Sequence, residues 1–297
     1  MDVAGLTVCT KVAELRRHVA DARGRGQTIG LVPTMGALHA GHVSLVERSH
    51  TECGYSVATI FVNPTQFGPK EDFTRYPRTL DADCALLKPA GCDLVFAPEV
   101  SEVYPRGASA AGLSPLSTSI DVTGVTEMLE GESRPGHFRG VATVVLKLFN
   151  MALPDVAYFG RKDFQQAAVI RRMVADLDVP VEVRLCPIVR DADGLALSSR
   201  NAYLSPEERR QSLVLSQSLR EAAARVANGE RDASALLGVM REVIARESGV
   251  KIDYVALADP DTLQPVTRVD RPAVALLAAR VGTTRLIDNA TLEPSKP

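Results

Sequence analysis

Neither sign of charge dominates this 297-residue chain: 34 basic side chains stand against 36 acidic ones, for a net charge of −2. Lys and Arg are scattered without a dense run, which argues against a nucleic-acid surface and against a polybasic membrane patch. No continuous apolar stretch is long enough to span a bilayer, and Met1-Asp2-Val3-Ala4-Gly5 is not a basic region leading into an apolar one. A cytoplasmic protein without a membrane partner is therefore expected. The five cysteines (Cys9, Cys53, Cys84, Cys92, Cys186) are odd in number and contain no C-x-x-C. That excludes a disulfide framework or a cysteine metal site and predicts reduced, mostly buried thiols. A G-x-S-x-G elbow and an H-E-x-x-H helix are both missing, so neither an activated serine nor that zinc motif is available. What remains is an ordinary globular composition, 45% hydrophobic and 24% charged, long enough for two domains and suited to a small-molecule partner.

Along the first half, helical and strand signals alternate. Val12, Leu15, Val19 and Ala22 recur at helical spacing, and an apolar strand over Thr28–Val32 ends at Pro33. Further strands are predicted at Ser56–Val62, Asp93–Ala97, Val156–Phe159 and Val181–Leu185. Helices are predicted at His42–Glu52, Asp81–Pro89, Phe138–Ala152 and Asp163–Leu177. This order predicts a Rossmann-like, doubly wound parallel α/β sheet over residues 1–188. Gly107–Thr126, rich in Ser, Thr, Gly and Ala, reads as an exposed, mobile insertion with an irregular strand at Ser119–Val122. After Val189 the character changes. Ser205-Pro206-Glu207-Glu208 is a capped helix start, two helices end at Gly229 and Gly249, and short strands follow at Asp253–Ala258, Ala273–Ala279 and Thr284–Asp288. Residues 189–297 are thus expected to form a smaller α+β domain.

Thr34–His42 leaves a strand and enters a helix, so it lies at the carboxyl edge of the sheet, where open α/β folds bind ligands. His39-Ala40-Gly41-His42 puts two imidazoles at a helix N-terminus with a Gly between them, leaving room for a phosphate at the backbone amides. The competing reading is that one His caps the helix and the other packs beneath it. Asn63-Pro64-Thr65-Gln66 follows the next strand and can offer amides to a hydroxy acid, or can be a solvated Pro turn. Lys162-Asp163 follows a third strand, where Lys can neutralise charge on a phosphate and Asp can accept from a ribose hydroxyl, unless the two form a surface ion pair. Ser198-Ser199-Arg200 offers hydroxyls and a guanidinium fork for phosphates, unless Arg200 pairs with Asp191 or Asp193.

Four stretches, Val32-Pro33-Thr34-Met35-Gly36-Ala37-Leu38-His39, Ile60-Phe61-Val62-Asn63-Pro64-Thr65-Gln66-Phe67, Phe159-Gly160-Arg161-Lys162-Asp163-Phe164-Gln165-Gln166 and Asp193-Gly194-Leu195-Ala196-Leu197-Ser198-Ser199-Arg200-Asn201, together resemble the pantothenate synthetases of the nucleotidylyltransferase superfamily. The resemblance implies a ligase that forms a pantoyl adenylate from pantoate and ATP, releases pyrophosphate, and lets the amine of β-alanine displace AMP. It implies His42, His39 and Lys162 as catalytic. ATP would be held by Pro33, Thr34, Met35, His39, Gly41, His42, Gly160, Lys162, Asp163, Val189, Leu197, Ser198, Ser199 and Arg200, and pantoate by Met35, Asn63, Gln66 and Gln166. It further implies Mg²⁺ with Asp83 as a contact, Asp81 being a competing helix-start residue. Arg134, His137 and Phe138 resemble a stretch near the pocket and the subunit contact, a homodimer is implied, and the second domain would close as a lid about a hinge near Val189. Two positions depart from the pattern: Arg161 stands where Glu is common, which puts the activity level in doubt, and Leu197 where Met is common. The rivals are another small-molecule nucleotidylyltransferase and a nucleotide sensor without turnover.

Overall fold

A computed structural model describes residues 1–69, 71, 73–107 and 117–294. The chain divides into two compact units, Met1–Arg161 with Gln165–Pro187, and Lys162–Phe164 with Ile188–Pro297. Strands β1 (Asp2–Val3), β2 (Leu6–Cys9), β3 (Ile29–Thr34), β4 (Tyr55–Ile60), β5 (Leu94–Phe96), β6 (Val156–Gly160) and β7 (Glu182–Cys186) form one sheet in the order β1-β2-β5-β4-β3-β6-β7. Every pairing is parallel except β1 with β2. The connecting helices are α1 (Val12–Gly24), α2 (Ala40–Glu52), α3 (Leu80–Leu87), α4 (Val100–Val103), α5 (Glu130–Ser133), α6 (His137–Ala152) and α7 (Phe164–Asp176).

The strand order explains where ligands can enter. From β3 the chain crosses through α2 to β4 on one side, whereas β6, on the other side of β3, leads on to β7. Right-handed crossovers running in opposite directions place their helices on opposite faces, which makes the sheet doubly wound and opens a crevice beyond the ends of β3 and β6. The pairing agrees: β3 and β6 are matched only at Gly30–Val156 and Leu31–Ala157, while β3 and β4 stay in register to Thr34–Ile60. Pro33 therefore lies inside the strand rather than ending it, at a point where partnership with β6 has already stopped and its missing N–H is tolerated. The α2 and α3 side of the sheet packs Val32, Leu38, Leu45, Val46, Ala58, Leu87 and Val95 with Cys53, Cys84, Cys92 and Cys186. All five cysteines are free and buried.

Strands β1 and β2 escape the sequence reading because two and four residues are too short to display a period. The expected strand at Ser119–Val122 is not formed. That segment hangs on α6 instead, through the Ile120 amide to Thr143 Oγ1 at 2.9 Å and an Arg139–Asp121 ion pair. Residues 108–116 of the expected insertion lie outside the described residues.

In the second unit, α8 (Pro206–Ala227) and α9 (Ala233–Ile244) pack together and against β8 (Val250–Ala258), β9 (Ala273–Val281) and β10 (Thr284–Leu292), which form an antiparallel sheet in the order β10-β9-β8. Leu215, Leu219, Leu236, Met240, Leu257, Val269 and Leu277 fill the core between them. The α8 start is a reciprocal capping box: Ser205 Oγ accepts from the Glu208 amide at 3.2 Å and Glu208 Oε2 accepts from the Ser205 amide at 2.8 Å. β8 begins three residues earlier than its pattern predicts, because a bulge between Ile252 and Tyr254 interrupts the alternation. Among the described residues no helix is long and apolar enough to cross a membrane.

Candidate active site

The loop leaving β3 is built around two successive left-handed residues, Gly36 at φ 84° and Ala37 at φ 52°. Gly meets that requirement without strain, whereas Ala37 is held there by its surroundings. The holder is Asp83 of α3, only 2% exposed, whose carboxylate accepts from the amides of Ala37 at 3.1 Å and Leu38 at 2.8 Å and from the Thr79 hydroxyl at 3.2 Å. Thr34, also buried, donates its hydroxyl to the Thr59 carbonyl at 2.5 Å and accepts from the Gly36 amide at 3.3 Å. These bonds deliver His39 as the N-cap of α2. Its Nδ1 accepts from the Gly41 amide at 3.1 Å, and His42 Nδ1 accepts in return from the His39 amide at 3.4 Å. The two rings stand 4.2 Å apart.

Capping and phosphate binding, posed by the sequence as alternatives, are thus compatible. A backbone N–H can only donate, so both Nδ1 atoms are acceptors, and each neutral ring carries its proton on Nε2. The cap fixes the tautomer and leaves the far nitrogen as the donor.

At the end of β4, Asn63 caps a short 3-10 turn, Pro64–Gln66, and its side chain is completely engaged. Oδ1 accepts from the Thr65 amide and hydroxyl and from the Tyr104 hydroxyl at 2.8 Å, while Nδ2 donates to Gln66 Oε1 at 3.1 Å and to the Gly140 carbonyl at 3.2 Å. Burial pushes the Tyr104 phenol up to about 12, which keeps it a donor. Gln66 Nε2 lies 2.9 Å from Met35 Sδ, joining this turn to the β3 loop. Helix α6 approaches so closely that a Cβ on Gly140 would sit 2.4 Å from the Thr65 carbonyl oxygen, so only Gly fits. His137 at the α6 start donates Nδ1–H to the Gln66 carbonyl at 2.8 Å and accepts on Nε2 from Arg134 at 2.9 Å. Arg134 in turn grips Glu71 with two bonds of 2.7 and 2.8 Å. Burial, then the Arg134 charge, lower His137 to about 4, so the ring is neutral. Burial alone would raise the Glu71 carboxyl, but the Arg134 hydrogen bond and charge outweigh it and hold the group below its usual range.

In the second unit, Lys162 follows β6 within a 3-10 turn, Arg161–Asp163. Its carbonyl accepts from Asn289 Nδ2 at 2.9 Å, and its Nζ stands 3.8 Å from Asp163 Oδ2. Asp288, the neighbour of Asn289 on β10, is buried and takes a bidentate grip from Arg190 at 2.7 and 2.9 Å. The segment after Val189 doubles back, with Leu197 donating its amide to the Val189 carbonyl at 3.0 Å. Ser198 then caps a 3-10 turn, Ser199–Tyr203, accepting from the Arg200 amide at 3.3 Å. Asp191 and Asp193, considered from sequence as partners for Arg200, are both engaged by Arg209 at 2.8 Å.

In the first unit, then, Pro33, Thr34, Met35, His39, Gly41, His42, Asn63 and Gln66 gather at the carboxyl ends of β3 and β4, with Gly160 closing β6. The carboxylate of Asp83, weighed from sequence as a Mg²⁺ contact, is spent on the β3 loop. Groups of three or more His, Cys, Asp or Glu side chains poised for a metal ion are absent among the described residues. Gln165 was missed: it is 3% exposed and ties down the segment before α5, accepting from the Glu130 amide at 3.0 Å and donating to the carbonyls of Val125 and Met128. Neighbouring Gln166 is half-buried. Adjacent helical residues point about 100° apart, so only one of the two can face a given wall, and the dipeptide alone does not say which.

Residues 7–291 match the family model described as pantoate-beta-alanine ligase. The chain is 56% identical over 292 residues to a pantothenate synthetase of Acidobacterium capsulatum, covering 95% of each protein. In structure it is similar to the pantothenate synthetase of Thermus thermophilus, with TM-score 0.90 and 45% identity over 97% of this chain and 100% of that one. It is also similar to the pantoate-beta-alanine ligase of Francisella tularensis, complexed with beta-gamma ATP and beta-alanine, with TM-score 0.75, 31% identity and coverage of 96% and 97%.

Proposed function

The chain belongs to the pantoate-beta-alanine ligase family, and from that premise we propose how its residues carry out the ATP-dependent condensation of pantoate with β-alanine to pantothenate. The observation that carries the assignment is the pair of imidazoles locked as Nε2–H donors at the N-terminus of α2, beside the switch point of the sheet. The pantoate carboxylate attacks the α-phosphate of ATP and the bond to the β-phosphate breaks, releasing pyrophosphate. The amine of β-alanine then attacks the carboxyl carbon of the pantoyl adenylate, AMP departs with the bonding pair, and the amine loses its proton.

Neither step needs an enzyme nucleophile, and the thiols are unsuited to the part: burial pushes Cys9 and Cys92 up to about 12. The work is positioning and charge stabilisation. His39 and His42 donate from Nε2 to ATP phosphate oxygens, assisted by the amides and dipole of the α2 N-terminus. Pro33, Thr34, Met35, Gly41 and Gly160 supply the backbone wall. Lys162 neutralises charge building on the α-phosphate, Asp163 accepts from the ribose, Ser198, Ser199 and Arg200 take the departing phosphates, and Val189 and Leu197 flank the nucleotide. Gln66 and Gln166 bind pantoate. Asn63 orients Gln66, since its own donors and acceptor are committed to the turn, to Tyr104 and to the Gly140 carbonyl.

Asp83 shapes the β3 loop and holds no metal in this reading. Mg²⁺ would be held chiefly by the nucleotide's phosphate oxygens, the usual arrangement for a cation that takes few protein ligands, and no step is routed through it. Family likeness also supports a cytoplasmic homodimer, which a sedimentation mass of one chain would contradict. Incubation with ATP, pantoate and β-alanine tests the reading. AMP and pantothenate should appear in equal amounts, and no turnover, or AMP release indifferent to β-alanine, would sink it.

A further inference from the structure

Lys162 needs more than its own turn to be aimed. It sits in a 3-10 turn of three residues, Arg161–Asp163, a form whose hydrogen bonds are poorly aligned and whose runs stay short. Its ammonium lies 3.8 Å from an Asp163 carboxylate that is about half exposed, a loose contact of the kind that fixes little. The firm hold is on the backbone: Asn289 Nδ2 donates to the Lys162 carbonyl at 2.9 Å, across 127 residues of sequence. The reversed amide would set oxygen against oxygen, so the bond itself fixes the amide's orientation. Both residues belong to the second unit.

Strand β10 is built to present that amide. Leu286 and Leu292 face the core of the unit, and Asp288 falls in the same alternating set at 3% exposure, whereas Asn289 points to the opposite face at 5% exposure. A carboxylate buried there is costly unless paired, and Arg190 pairs it with two bonds of 2.7 and 2.9 Å. The same guanidinium donates to the Gly194 carbonyl at 3.1 Å and to the Asn289 carbonyl at 3.5 Å, while Asp288 Oδ1 accepts from the Asn289 amide N–H at 2.8 Å. The backbone of Asn289 is therefore held at both its amide and its carbonyl. A buried ion pair stabilises little compared with apolar side chains of the same size, so this one is better explained by what it holds in place. We propose that Asn289 is a positioning residue for Lys162, its side-chain amide anchoring the lysine's backbone while Arg190 and Asp288 anchor the strand position from which it does so. With the carbonyl fixed, the flexible lysine stem starts from a fixed base, and small displacements of such a base are costly to the reacting geometry. The inference rests on the role given to Lys162 above.

Two substitutions test it. Asn289→Asp keeps the shape but turns the donor facing the Lys162 carbonyl into an acceptor, and Asn289→Ala removes the group altogether. At a temperature where circular dichroism shows the variants folded, each should lower kcat about tenfold while KM for ATP moves less than about twofold, the pattern of a group misplaced in the transition state. Placed on Lys162→Ala, either substitution should cost less than about twofold further, because the lysine it aims is gone. A folded variant within about twofold of the parent rate, or a tenfold loss that persists on Lys162→Ala, overturns the proposal. So does failure of both variants to fold, which would make Asn289 a building block of β10; if one of them folds, it decides alone. Two controls keep these outcomes apart from the function itself. A parent chain that makes no pantothenate fails the ligase reading, and a near-normal rate for Lys162→Ala removes the lysine's role and this inference with it.

Discussion

The loop after β3 satisfies its own polar groups, whereas the turn after Leu197 leaves one unfilled. In the first, Asp83 closes on the amides of Ala37 and Leu38, Thr34 closes on Thr59 and Gly36, and the two histidines cap each other's helix turn. In the second, Asn201 Oδ1 is buried without a hydrogen-bond partner among the described residues. The first arrangement is rigid in advance of any ligand, and it stores strain in a left-handed Ala37 that the Asp83 bonds offset. The second, in the unit that contains Lys162, ties Asn201 down through one half of its amide, Nδ2 donating to the Ala196 carbonyl at 3.0 Å. Pre-organised donors suit charge that must be stabilised without reorganisation.

The largest effect expected from this contrast is catalytic. His42→Ala and Lys162→Ala should each lower turnover by roughly 10²–10³-fold, the usual loss when a donor to developing charge is removed. Neither should unfold its unit. The His42 cap bond is long at 3.4 Å, so its loss should cost well under about 1 kcal/mol, beneath the usual worth of an N-cap. Turnover paired with thermal melting separates the two duties. A His42→Ala enzyme within tenfold of the parent rate would reduce that residue to a helix cap.

The units should also part company in acid. All five histidines precede residue 138, so the second unit has none. His137, lowered to about 4 by burial and by Arg134, has an unfolded value near 6.5. Between those values the unfolded chain binds a proton that the native one excludes. Its contribution is therefore complete above about pH 6.5 and is lost as the pH falls toward 4, amounting to about 3 kcal/mol over that window. Hydrogen exchange at pH 7 and pH 4.5 should show the α6 start and the Asn63–Gln66 turn loosening while α8 and α9 keep their protection. His137→Gln should flatten the response, and an unchanged acid sensitivity in that variant would assign the effect to other groups.

How much of this was legible in the sequence differs between the same two regions. The strand, loop, His-x-Gly-His, helix order located the β3 loop because two His flanking a Gly at a strand-to-helix junction leave room for a phosphate at the helix amides, and Ser205-Pro206-Glu207-Glu208 marked the α8 start through purely local bonds. Long-range partnerships stayed hidden. Asp83 meets Ala37 from 46 residues away, Gln165 meets Glu130 from 35, and Asn289 meets Lys162 from 127. A carboxylate bound for a loop amide and one bound for a metal look alike until the chain is folded. The strand boundaries moved for the same reason: Pro33 is tolerated inside β3 only because β6 has already stopped pairing there.

Asp83 gives the smallest and most specific way to break the contrast. Asp83→Asn keeps the shape but removes the charge, and it turns one of the two acceptors for the Ala37 and Leu38 amides into a donor that faces them. Hydrogen bonds to a charged group are worth about 1.5–3 kcal/mol, and part of that survives on the remaining oxygen. The variant should therefore lose about 1–2 kcal/mol of stability, read as a shift in denaturant midpoint without a change in slope. Because the loop bearing His39 is then freer, turnover should fall by more than that stability loss alone would cause under conditions where the protein stays folded. A carboxylate that bound magnesium would behave differently: its loss would raise the magnesium concentration needed for half-maximal rate and leave the denaturant midpoint in place. Titrating both quantities in the one variant decides whether the β3 loop is shaped by Asp83 or merely lies beside it.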